Sequence, residues 1–163
     1  MSQEILVLLK LSTMTLATVG NDGQPHAAAV YFAADETAFS AKLTVTSSQI
    51  SPAESSLSIF FFSDLSSQHS LDLAINPRAA VTIYPEVFEW QQIRGLQMRG
   101  EVQLIPKGAG WDYAWSLYQA KFPFVSTLKP IVRRNALYRF IPTWLRWLDN
   151  RTRLGFKKEW VLK

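Results

Sequence analysis

Four polar side chains lie where an extended segment gives way to a helix. Leu57 to Ser63 reads Leu-Ser-Ile-Phe-Phe-Phe-Ser. Bulky aromatics pack well on a pleated surface, so this run is predicted to be a strand. The polar turn from Asp64 to His69 then opens a short helix that runs to Ile75, with Ser66 as its expected N-cap. Asn76-Pro77 stops it, because proline cannot continue a helix and biases the preceding residue away from helical angles. Ser63, Ser67, Gln68 and His69 therefore sit at a helix start. Free N–H groups and the positive end of the helix dipole make such a place suitable for a phosphate. The same four residues also fit an ordinary capped surface helix, since Ser-Ser-Gln-His is not a phosphate motif by itself.

Other chemistries find little support. His26 and His69 are the only histidines, they fall on different elements, and no metal site is expected. Asp64, Asp72, Glu86, Glu89, Glu101 and Asp112 include no pair whose spacing argues acid–base work, and they read as solvated carboxylates. The serines lack a G-x-S-x-G setting, and neither a P-loop nor a G-x-G-x-x-G occurs. The absence of cysteine excludes disulfides, thiolate metal sites and cysteine nucleophiles, and fits a reducing compartment. The N-terminal residues show no basic n-region or small-residue cleavage site, and no apolar run approaches the ~20 residues of a membrane span. A cytoplasmic protein with no membrane partner is the expectation.

The elements that must hold the four residues can be read in order. Glu4 to Leu11 is expected to be a short amphipathic helix with Ile5, Leu8 and Leu9 on one side. Met14–Val19 and Pro25–Ala33 form a hairpin around Asn21-Asp22-Gly23, residues that tolerate the positive φ of a tight turn. The Ser/Thr-dense segment 35–56 reads as an inserted loop, with Ala38–Val45 as a weak strand. Arg78–Tyr84 is a strand. Pro85–Glu89 is a connection. Trp90–Ile105 is a long strand of period two in which Gly95 and Gly100 suggest a bulge, a bend or a place where a ligand nears the backbone. Lys107–Lys121 is a helix ended by Phe122-Pro123-Phe124, Leu128–Arg134 a shorter one, Leu137–Leu148 a strand broken by Pro142, and Lys158–Leu162 a last strand. Six or seven strands joined by hairpins, without β-α-β alternation, favour an antiparallel barrel or sheet with helices outside. A length of 163 residues suggests one domain spanning the chain.

Charge is unevenly spread. Residues 1–128 carry 7 Lys/Arg against 11 Asp/Glu, and residues 129–163 carry 10 against 2. A basic end suits an anionic partner as well as it suits a solvated face. Trp144 and Trp147, with Arg139, Arg146, Arg151 and Arg153, could stack bases beside phosphates, so a non-enzymatic binding protein for nucleic acid or another polyanion is the alternative function.

Three stretches together resemble the flavin-binding split-barrel superfamily typified by pyridoxamine 5′-phosphate oxidase. They are Leu16–Gly20 with Asp22-Gly23 and Pro25-His26; Ser63 through Ser67-Gln68-His69 to Asn76-Pro77-Arg78; and Ile93-Arg-Gly-Leu-Gln-Met-Arg-Gly-Glu-Val102. Ile93–Gln97, Lys121–Phe124, Asp149-Asn150 and Leu154–Lys158 look most like the YhbP-like branch. The resemblance implies a mainly β fold, an antiparallel split β-barrel of the FMN-binding type with short flanking helices. It implies a cytoplasmic homodimer with FMN between subunits, haem being the second choice of cofactor. It implies a flavin-dependent oxidoreductase acting on a small molecule, with no catalytic residue assigned. Carried over, Ser63, Ser67, Gln68 and His69 would hold the phosphate, Arg94 and Gly95 would face the flavin, and Trp147 or its neighbours would come from the partner subunit. The oxidases have Arg and Lys where this chain has Gln68 and His69, and an Arg where it has Ala28. Charged, forked donors hold phosphate more strongly than Gln or a neutral His.

Overall fold

The computed structural model describes residues 2–35, 57–132 and 134–162. Most of the expected 35–56 insertion, with the weak strand at Ala38–Val45, lies outside the described residues. The described part holds eight strands: β1 (Thr13–Val19), β2 (Pro25–Tyr31), β3 (Ala33–Asp35), β4 (Ser58–Ser63), β5 (Arg78–Ile83), β6 (Arg94–Ile105), β7 (Ala136–Asp149) and β8 (Lys157–Val161). The helices are α1 (Ser2–Leu9), α2 (Gln68–Ile75), α3 (Ala109–Lys121) and the single-turn α4 (Lys129–Val132).

All pairings are antiparallel, in the order β2-β1-β5-β6-β7-β4-β3, with β8 also on β7. The two ends of that order are one piece of chain, because β2 passes through buried Phe32 directly into β3. The sheet therefore curls into a barrel, mainly β with flanking helices, as the resemblance implies. β3 is the strand the sequence reading lacks. Three residues are too few for a period to show, and Ala33–Asp35 is extended only because it pairs with Ser58–Phe60.

β7 is the spine. Its 14 residues pair with β6 on one side; on the other, Ala136–Phe140 pair with β4 and Trp144–Leu148 with β8. Pro142 does not break it. Proline lacks the N–H a ladder needs, and residue 142 lies in the gap where the outer partner changes from β4 to β8. Pro142 also faces Gly100 at the one register shift of the β6–β7 ladder. A Cβ on Gly100 would lie 2.1 Å from the Ile141 carbonyl oxygen, so only glycine fits the bulge. At the other end of β6, Trp90–Gln92 forms a 3₁₀ turn, and the strand begins at Arg94 rather than Trp90.

Leu16, Phe61, Val81, Met98, Phe140 and Leu145 fill the barrel, and Ile5, Leu8 and Leu9 of α1 plug it. α1 is fastened by Arg151, which donates to Glu4 and to Asp149. α3 lies outside, over β3 and β4, where the Phe62 ring meets Trp111, Trp115 and Tyr118 edge-on. No helix of the described residues is long and apolar enough to cross a membrane.

Candidate functional site

The expected polar junction forms, and its residues divide. β4 delivers Ser63, and an Asx turn follows in which Asp64 Oδ1 accepts the Ser66 N–H at 2.7 Å and the Ser66 hydroxyl at 2.6 Å. Those bonds hold the Asp64 carboxyl below its usual range. They also occupy Ser66, so the helix N-cap is Ser67 instead, one residue later than the sequence suggests. The Ser67 carbonyl accepts from the Ser70 and Leu71 N–H groups, while its hydroxyl donates to the Asp64 carbonyl at 2.8 Å.

His69 turns inward. Its Nε2 lies 2.6 Å from Ser63 Oγ and 3.2 Å from Ser67 Oγ, and the two hydroxyls are 2.9 Å apart. Burial lowers the His69 pKa from its ordinary 6.5, outweighing the nearby charge of Asp72, so the ring is neutral at pH 7. Ser63, Ser67 and His69 thus form one cluster whose groups satisfy each other.

Gln68 points elsewhere. Its Nε2 donates to Asp72 Oδ1 at 2.9 Å, the i,i+4 neighbour on the same helix face. Asp72 is 2% exposed. Its Oδ2 also accepts from Thr18 Oγ1 at 2.7 Å and from His26 Nδ1 at 3.0 Å. The Thr18 bond leads the effects that keep this carboxyl below its usual range despite burial. The sequence reading of Asp72 as a solvated carboxylate is therefore wrong: it is a buried anion held by three donors. The His26 ring, 38% exposed, lines an open cleft of about 410 Å³ with Leu71 and Ile75. Thr18, His26 and Asp72 are absent from the sequence-derived site. The Gln68–Asp72 spacing is the one sequence signal that could have drawn attention to them.

Arg94 and Gly95 lie at the other end of the barrel. Ser63 pairs with Ala136 and Arg94 with Asp149, the first and last residues of β7. The path along a strand of that length is roughly 45 Å at ~3.3 Å per residue. Arg94 and Gly95 line a largely apolar crevice of about 480 Å³, walled by Thr82–Val87 on one side and Ile93–Gln97 on the other, with Leu148 at its edge. The Arg94 Nε is buried there without a hydrogen-bond partner. Gly95 answers a packing demand, since a Cβ on it would lie 2.8 Å from the Ile83 carbonyl oxygen. Pro85–Glu89, expected from the sequence only as a connection, supplies one lip. Tyr84, Phe88, Trp90 and Ile93 expose their apolar side chains around it, Phe88 to 92%.

Trp147 is in neither place. It is 5% exposed in the core of its own chain, edge-on to Phe156, with Nε1 buried and unpartnered. The residues of the polyanion reading disperse too. Trp144 is flanked by Arg99 and Arg146; Arg146 pairs with Glu159, Arg151 with Glu4 and Asp149, and Arg139 donates to Ser58. Among the described residues no group of three His, Asp or Glu side chains could hold a metal ion.

Comparison with known proteins bears on this arrangement. A pyridoxine/pyridoxamine 5′-phosphate oxidase of Cupriavidus pinatubonensis is 34% identical over 96 residues, 58% of this chain and 34% of that one. The chain thus spans about a third of the length of the curated relative it matches. The crystal structure of the Mycobacterium tuberculosis protein Rv2991 superposes with a TM-score of 0.70 at 19% identity, over 94% of this chain and 87% of that one. A heme binding protein from Mycobacterium smegmatis gives 0.68 at 15% identity, over 98% and 56%. At such identities the two structures attest the fold alone. Residues 1–146, which include the α2 junction and nearly all of the crevice lining, match the family described as pyridoxamine 5′-phosphate oxidase, and to that family this chain belongs.

Proposed function

We propose that this protein is a homodimeric flavoprotein, an oxidoreductase that holds a flavin ring in the crevice beside Arg94. The crevice and its unpartnered guanidinium nitrogen carry the reading. A flat conjugated ring matches an apolar slot, and a ring carbonyl or nitrogen is the acceptor that Arg94 Nε lacks within its own chain. The flavin would supply the redox chemistry, while the chain supplies the slot, the donor and the exclusion of water.

Two copies complete this reading. The Ser63–His69 cluster and Arg94 sit at opposite ends of β7, and in this reading they hold the two ends of one flavin from different protomers. Two barrels packed antiparallel about a two-fold axis bring one protomer's cluster to its partner's crevice, and the exposed rim of Tyr84, Phe88, Trp90 and Ile93 is the apolar surface such packing would cover. A cytoplasmic setting and a small-molecule substrate accompany this reading.

The absorption spectrum of the purified protein, followed by titration with FMN and riboflavin, tests it. Flavin bands or saturable binding by a species of twice the protomer mass are expected. A monomer that binds neither flavin would remove the proposal.

A second reading rests on His26. An imidazole with Nδ1 held by a buried carboxylate, at the edge of an open cleft, is arranged as a haem iron ligand would be, and one structural neighbour is a heme binding protein. A Soret band lost in His26→Ala would favour haem over flavin.

A further inference from the structure

We infer that the polar seat at the head of α2 rejects a phosphate dianion and accepts the uncharged, hydroxyl-bearing end of a flavin, so that riboflavin is held at least as well as FMN. This rests on the flavin reading above and narrows it.

A negative charge already stands beside the first turn of α2. Helical side chains lean toward the N-terminus, and Asp72 does so, bringing its carboxylate back beside the first turn, where Gln68 donates to it. The carboxylate is fixed there. Thr18 and His26 hold Oδ2, and Gly20 closes the space in front: a Cβ at position 20 would lie 3.3 Å from Oδ1. A phosphate brought to this helix start meets a resident negative charge.

Among the described residues, the hydrogen bonds at this junction bring no compensating cation. Gln68, at a position where the oxidases carry Arg, is committed to Asp72. His69, where they carry Lys, is neutral because it is buried. None of the hydrogen bonds made by Ser63, Ser67 or His69 involves Lys or Arg. Arg78, the basic residue that follows the helix, bonds back to Asn76 Oδ1. Asp64 adds a further carboxylate at the turn.

The groups that remain suit a polyol better than a phosphate dianion. A phosphate dianion only accepts hydrogen bonds, whereas a hydroxyl both donates and accepts. The Ser63 and Ser67 hydroxyls do both, and they already exchange bonds with each other and with His69 Nε2 at 2.6–3.2 Å. A ribityl hydroxyl can enter that cluster by replacing one member's bond with an equivalent one. A phosphate would need all three groups to donate at once, which breaks the bonds they make to each other.

The test is a paired calorimetric titration with riboflavin and FMN. Riboflavin binding as tightly as FMN, or more tightly, is the expected result; FMN binding about tenfold tighter or more overturns the inference while leaving the flavoprotein reading intact. The double variant Gln68→Arg, His69→Lys restores the basic donors. It should raise FMN affinity about tenfold and leave riboflavin nearly unchanged, and parallel changes for both ligands would count against the inference. Binding of neither flavin would remove the flavoprotein reading, and inorganic phosphate then decides the seat alone. Unmoved His69 imidazole resonances up to ~50 mM phosphate uphold the rejection, and saturation near ~1 mM overturns it.

Discussion

The two ends of this barrel handle polar groups in opposite ways. At the α2 end every buried polar side chain has a partner in its own chain: Asp72 has three, and Ser63 and His69 have each other. At the crevice end Arg94 Nε is buried without one, and Phe88 stands almost fully in solvent. A buried donor without a partner costs more than a satisfied one contributes. The α2 end is therefore built to be stable as it stands, and the crevice end is built to be completed.

The largest effect that could break this contrast is a deletion at each end. Asp72→Ala leaves Thr18, Gln68 and His26 without their common acceptor and should cost about 3 kcal/mol in denaturant unfolding. Arg94→Met removes a guanidinium whose Nε is unpartnered, and should stay within about 1 kcal/mol of the parent while abolishing flavin retention. Equal costs would mean that the two ends do not differ in kind.

Gly95→Ala probes the crevice wall. Its new Cβ, 2.8 Å from the Ile83 carbonyl, must part β5 from β6, and a loss of about 1–3 kcal/mol is expected. A neutral result would show that the lip beyond Ile83 moves freely, and the slot would then not be preformed.

Acid should act on the α2 end. The His69 pKa is lowered on folding, so below 6.5 the unfolded chain binds its proton more readily than the folded one. Stability is full above that pH and falls as the pH drops toward the folded-state pKa. Asp72, also lowered, adds a second loss below about its ordinary 3.8. His69→Gln should abolish the first decline in a pH series of thermal melts and keep the second. An unchanged first decline would assign it to another group.

The contrast also marks what could be read from the chain. The hairpin is local: Gly23 takes φ +77°, and Asn21-Asp22-Gly23 says so. The α2 stop at Pro77 and the alternation of β6 are local as well, and both were legible. Asp72 was not. Its acceptor role depends on Thr18 and His26, 54 and 46 residues away, and a carboxylate between Leu71 and Leu73 looks the same whether water or a strand covers it. Nor could the sequence place Ser63 and Arg94 at opposite ends, because that follows from which residues of β7 each one faces. Pro142 misled for the same reason. Its missing N–H matters only if a strand lies on that side, and there none does.

The smallest change on stability sharpens the comparison most. Phe88 is 92% exposed, so in an isolated protomer Phe88→Glu removes almost no packing and should shift unfolding by less than about 0.5 kcal/mol. If the crevice rim is where two copies meet, the same substitution puts a charge into an apolar interface and should lower the mass in solution from dimer to monomer. The parent's unfolding midpoint should then rise with protein concentration while that of Phe88→Glu does not, because association stabilises only the folded form. Light scattering and melts at two concentrations separate the cases. A variant that stays dimeric with an unchanged concentration dependence places the dimer contact away from this rim, and the crevice would then have to be completed by ligand alone.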